Sequence, residues 1–159
     1  MNTPTDSSRD RRSGTGWPVR LAAAGLAVAT PVAIWWLVGD QSENAATEEL
    51  DYAVGPVVVD PAVERLVGIG SVLLLAAAVV VLVGASVWRW LDPRWWAVIL
   101  PVVVAGMVAG FALRVLTAGV IGANIGAGLM LVFGGPTVAG LLLWAGLWSR
   151  YLVSRRANG

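Results

Sequence analysis

The chain has no cysteine, no histidine and no lysine, and its eleven basic residues are all arginine. Each absence removes a class of chemistry. Without cysteine there is no disulfide framework, thiolate nucleophile, iron–sulfur ligation or cysteine zinc site. Without histidine the usual general base and the commonest metal ligand are gone. Without lysine there is no Schiff base and no phosphate-binding loop of the P-loop type. Charge is also scarce. Only 13% of the 159 residues are charged, against about a quarter in an ordinary soluble domain. The net charge of +1 leaves no electrostatic footprint for nucleic acid. The composition therefore points away from an enzyme, and no cofactor or metal is expected.

What remains is apolar. Hydrophobic residues make up 57% of the chain, and the mean hydropathy is +0.74. The few charges lie between long uncharged blocks, the pattern of a polytopic membrane protein. The fold class expected is all-α, with four transmembrane helices at about 18–39, 62–90, 93–117 and 127–150. Residues 1–16 are polar, carry no apolar periodicity and read as a disordered tail. Residues 17–153 form the membrane domain, and 154–159 a short second tail. The first block, Leu21–Gly39, has a basic flank such as a signal peptide has. It is long for a signal segment, ends in Trp35 and Trp36 and lacks a clear cleavage site, so it reads as a retained helix.

The acidic stretch 40–61 separates the first two blocks. Asp60-Pro61 and Asp92-Pro93 each supply an N-cap followed by a first-turn proline, so helices start there. The final uncharged block, Val115–Ser149, would extend about 52 Å as one helix, far more than a single crossing of about 30 Å needs. It must break, either in the glycine-rich 119–128 stretch or at Gly134-Gly135-Pro136. The first choice leaves a final helix near the expected length, with the Gly-Gly-Pro as a kink inside it.

Four spans put Arg9, Arg11, Arg12, Arg20, Arg89, Arg94, Arg150, Arg155 and Arg156 on one side. Only Arg65 and Arg114 fall on the other. The positive-inside rule then makes both termini cytoplasmic and the acidic loop external. Trp17, Trp88, Trp90, Trp95, Trp96 and Trp148, with Tyr151, fall at the inner interface, and Trp35 and Trp36 at the outer. Indole rings favour that depth.

Few residues inside this frame could carry function. Gly106, Gly110, Arg114, Ala118, Gly122 and Gly126 form an unbroken series at spacing four. Small residues so spaced let helix backbones approach closely in lipid. Gly106, Gly110, Gly122 and Gly126 are accordingly expected to pack helices, those of the 119–128 stretch bringing helices three and four together. Arg114 is the one charge between Arg94 and Arg150. Such a charge costs about 2.5–3.5 kcal/mol at the bilayer centre, and much less where its stem reaches the interface. An intramembrane partner must be a carbonyl, water, Asn124 or a carboxylate from the outer loop, and an ion pair with Glu64, at the head of the neighbouring helix, is the sharpest expectation. Asn124 could cap the fourth helix, bond across helices or line a polar path. The acids of the outer loop lack the spacing of a calcium loop, and Ser71 and Ser86 have no base to activate them.

The layout, arginine-only basicity and Ala-Val-Gly-Leu composition resemble small integral membrane proteins of high-GC, actinobacterial-type bacteria, a resemblance that implies no activity. Two families of similar size bear on function. Small multidrug exporters use a membrane glutamate in the first helix, and Leu21–Gly39 has no carboxylate. Fluoride channels are similar in size, in glycine-rich helices and in having a membrane Arg and Asn, but their motif order is not matched. The expectation is a non-enzymatic protein of the bacterial plasma membrane. It would act by helix association, as an accessory subunit, scaffold or regulator, with membrane lipids and a membrane-protein partner or a second copy as its contacts. The alternative is a small channel or transporter using Arg114 and Asn124 for an anion or small solute.

Overall fold

The computed structural model describes residues 16–39, 54–55, 59–118 and 123–157, with the side chains of 123, 124, 156 and 157 outside that set. The expected N-terminal tail and most of the acidic loop lie outside the described residues. Among those described, all regular structure is helical: α1 (Gly16–Val38), α2 (Pro61–Val87), α3 (Trp96–Thr117, preceded by a 3₁₀ turn at Pro93–Trp95), α4 (Ala123–Leu129) and α5 (Gly135–Ala157). Met130–Gly134 forms a π turn that joins α4 to α5. Four of these segments, 16–38, 61–87, 93–117 and 125–155, are long and apolar enough to cross a membrane.

Both Asp-Pro pairs start helices by the same chemistry. The Asp60 carboxylate accepts the N–H of Ala62 at 2.8 Å, and that of Asp92 accepts the N–H of Arg94 at 3.0 Å. Proline follows each cap, where its missing N–H costs nothing. α2 ends at Val87, short of the expected 90, in a Schellman turn. Trp90 N–H bonds Ala85 O at 2.8 Å and Arg89 N–H bonds Ser86 O at 3.1 Å. The turn puts Arg89 in the left-handed region at φ 59°, a place usually given to glycine. Its cation in turn lies beside the negative end of the helix dipole.

The over-long final block changes direction after Thr117. Ala118 is extended, and helix resumes at Ala123. The last span is longer than expected at both ends, running from 123 to 157 rather than 127 to 150. At its start, Gly126 packs close to Val115 of α3, where a Cβ would lie 3.2 Å from the valine methyl. Gly134-Gly135-Pro136 does not end the helix. It widens one turn, with Gly135 N–H bonded to Met130 O five residues back. Pro136 explains the widening, because its ring clashes with the preceding turn of an α-helix. Thr137 donates its hydroxyl to Phe133 O at 2.6 Å, on the turn where the proline brings no N–H.

The helices pack in sequence across the molecule: α2 on α1, α1 on α3, α3 on the last span. Facing residues give the directions. Gly25 meets Leu74 and Gly68 meets Trp36, so α1 and α2 are antiparallel. Gly106 and Gly110 meet Thr30 and Pro31, while Arg114 reaches Gly39, so α1 and α3 run parallel. The start of α1, the 90–95 turn and the end of α5 lie at one end of the molecule, around a cavity that Gly16, Trp90 and Val153 share. The main buried cluster sits just below that end: Leu26, Ala78, Leu82, Ala85, Leu91 and Ile99. Trp96 locks α3 to α2 there, donating its indole N–H to Ser86 Oγ at 2.9 Å, while that hydroxyl donates to Leu82 O at 2.9 Å.

The seam between α1 and α3 is the tightest. Pro31 interrupts the bonding of α1, since it has no N–H to offer the preceding turn. A Cβ on Gly110 would collide with the Pro31 carbonyl oxygen and lie 3.0 Å from its carbonyl carbon. One on Gly106 would lie 3.1 Å from Thr30 Cβ. A glycine hydrogen thus faces the proline carbonyl, the arrangement of a Cα–H···O contact. Gly110→Ala must part the two backbones and should cost about 1–3 kcal/mol. Gly106→Ala, which meets side-chain atoms of Thr30 and Pro31 at 3.1–3.2 Å and no backbone atom among its nearest neighbours, should cost less. Equilibrium unfolding in mixed micelles, followed by tryptophan fluorescence, ranks the two variants.

Candidate functional site

The single arginine of the apolar blocks organises the other end of the α1–α3 pair. Arg114 stands in the last turn of α3 and is only 9% exposed. Its Nε–H donates to the carbonyl of Gly39, and its guanidinium lies over the Trp35 ring, 5.1 Å from the centroid. Both contacts belong to the end of α1. Gly39 follows the last helical residue with φ 70°, and its N–H bonds Trp36 O at 3.1 Å. That left-handed turn aims the Gly39 carbonyl at α3. Glycine is the residue that adopts it without strain.

The electrostatics follow from the helix ends. α1 has no basic residue in its own last turn, although carbonyls accumulate negative potential there, equivalent to about half a charge. Arg114 supplies the missing cation from the neighbouring helix and also sits at the C-terminal end of its own. The Trp35 face adds a cation–π contact. Among the described residues, the buried guanidinium is thus stabilised by carbonyl dipoles and an aromatic quadrupole.

The expected Arg114–Glu64 ion pair does not form. Glu64 lies half-buried in the first turn of α2, and the contacts of Arg114 run to α1. The reason is the packing order: α1 has α2 on one side and α3 on the other, and Arg114 is aimed at α1. Gly122 and the side chain of Asn124 lie outside the described residues. The Asn124 backbone falls in the first turn of α4. The glycine series divides its work. Gly106 and Gly110 serve α1, whereas Gly126 serves the contact between α3 and α4.

Two residues that complete this end had no place among the sequence-derived candidates. Gly39 carries a readable signal, a glycine just past an apolar helical run. Gly68 is buried in α2 under the ring of Trp36, which occupies the space a side chain would need. Its one sequence signal is a small residue within a branched run. Val54, a described residue between α1 and α2, also donates its N–H to Leu116 O of α3 at 3.1 Å. Thr117 returns its hydroxyl to Leu113 O at 2.9 Å. The assembly can hold a cation in place and tie three segments together. Among the described residues it contains no second ionisable group in contact with Arg114, and hence no acid–base pair.

Arg114→Met removes a charge-assisted hydrogen bond and a cation–π contact, and should destabilise the protein by about 2–3 kcal/mol. Arg114→Lys should recover part of that, because it keeps the charge but not the Nε–H. Glu64→Gln should leave stability near the parent value. Unfolding in mixed micelles, followed by total tryptophan emission, tests all three. Comparison with known proteins finds no matching family model, no matching curated protein and no matching solved structure.

Proposed function

We propose that this is a non-enzymatic, multi-pass protein of the bacterial plasma membrane that acts by helix association, as an accessory subunit, scaffold or regulator. Both termini face the cytoplasm in this reading. The arginine count, nine against two across the spans, supports that orientation through the positive-inside rule. The absence of histidine, cysteine and lysine supports a role without catalysis.

The observation that carries the association reading is the last span. Only 6% of its most apolar window is buried inside the molecule, against 17–22% for the other three. Its main long-helix neighbour is α3. Gly140, Leu143, Trp144 and Leu147 recur at i, i+3, i+4 and i+7, and all four are exposed. A Cβ on Gly140 would meet nothing within 4 Å. A small residue among large ones on one helical stripe is the form of a helix–helix interface in lipid. The cation at Arg114 is already engaged with Gly39 and Trp35, which favours anchoring over solute passage.

The cysteine-free background makes the test clean. Leu143→Cys, oxidised in native membranes, should give a crosslink to a second copy or to one stoichiometric membrane protein. Adding Gly140→Leu should abolish the crosslink. A chain that stays monomeric and partner-free in mild detergent, indifferent to Gly140→Leu, would overturn the association reading. Anion flux into liposomes that falls with Arg114→Gln would replace it with the channel alternative.

A further inference from the structure

At the arginine-rich end a cavity of about 580 Å³ opens between α1, the 90–95 turn, the start of α3 and the end of α5. Its size falls inside the range of about 300–1,000 Å³ typical of small-molecule pockets. The floor is apolar and buried, formed by Leu91 and Ile99, with Val19, Ala23 and Val98 on the walls. The rim is exposed and includes Trp90, Val153 and Arg20.

Two ionisable residues line this cavity, and only one is uncommitted. Asp92 is half-buried and spends its carboxylate on the N–H of Arg94 as a helix cap. Arg20 is exposed on the second turn of α1 and has no ion-pair partner among the described residues. The cavity therefore combines an apolar slot with one guanidinium at its mouth that has no ion-pair partner among the described residues. It sits at the end of the spans where the Trp88 and Trp90 rings meet at a tilt of 51°, centroids 5.2 Å apart, the indole-rich level of a membrane interface.

We propose that this cavity holds one acyl chain of an anionic phospholipid, with the lipid phosphate bound by Arg20. Charge complementarity selects this occupant. The slot suits a hydrocarbon chain, the exposed Arg20 guanidinium suits a phosphate in bidentate geometry, and both features are found together at the tryptophan-rich end of the spans. A basic pocket between membrane helices on the cytoplasmic side is the setting in which anionic headgroups are recognised. The site rests on the membrane insertion and orientation proposed above. It does not depend on which partner the last span takes, so each idea can fail alone.

The experiment is native mass spectrometry of the full chain in a neutral detergent, after addition of phosphatidylglycerol or of phosphatidylcholine with the same acyl chains. The parent should retain one phosphatidylglycerol in preference to phosphatidylcholine. Arg20→Gln, an exposed change that leaves the packing intact, should lower phosphatidylglycerol retention by about fivefold, the worth of one arginine near an anionic headgroup. Its phosphatidylcholine retention should be unchanged. Arg65→Gln, at the opposite end, should behave as the parent. Excess inorganic phosphate should not displace the lipid. Equal retention of both lipids, indifference to Arg20→Gln, or displacement by free phosphate would each overturn the proposal.

Discussion

The contact on which the rest of the structure depends is the approach of the Pro31 turn of α1 to Gly106 and Gly110 of α3. Lipid tails are as apolar as the side chains, so burial alone gives membrane helices little reason to associate. Close backbone contact supplies the attraction instead, through many small dispersion terms that need near-contact distances. Here the proline disturbs one helix and the glycines of the other receive it. The parallel α1–α3 pair then forms the centre of the molecule, with α2 on its α1 side and the last span on its α3 side.

The far end of that pair is closed by electrostatics. Arg114 links the left-handed Gly39 turn to α3, and Trp36 on Gly68 extends the attachment to α2. The near end is closed by packing around Leu82 and by the Trp96–Ser86 bond. Between the two ends, hydroxyls on the spans turn back to carbonyls of their own helices, as Thr30 does to Leu26 and Ser71 to Gly68. Polar groups so satisfied add no outward chemistry. Along the described spans, what the molecule offers its surroundings is therefore mainly its apolar faces. Leu66, Val80, Leu143 and Leu147 are among many large side chains left exposed. A water-soluble monomer rarely tolerates such continuous apolar surface, whereas lipid or another helix covers it at no cost.

Much of the helix layout could be read from local signals. Block lengths identify the spans because a bilayer has a fixed thickness. Asp60-Pro61 and Asp92-Pro93 mark starts because capping acts within three residues. The over-long last block demands a break by arithmetic alone. The π turn at Met130–Gly134 was less legible. A Gly-Gly-Pro sequence is compatible with a stop, a kink or a widened turn, and the structure shows the widened turn, with Gly134 buried near Val108 of α3. The extension of the last helix to Ala157 runs past the apolar block because helix formation continues into a polar segment, where Arg155 lies over Tyr151 at 4.9 Å.

The amino-acid sequence by itself determined the all-helical class, the four spans, both Asp-capped starts and the uneven spread of arginine. Each depends on composition or on residues within a few positions of one another. Only the tertiary structure decided partners: that Arg114 serves the end of α1 rather than Glu64, that Gly106 and Gly110 receive Pro31, and that Trp36 rests on Gly68. The spacing-four row shows that small residues are available for contact but carries no information about which helix arrives. That choice is made by the order in which helices pack, and packing order depends on surfaces far apart in the chain.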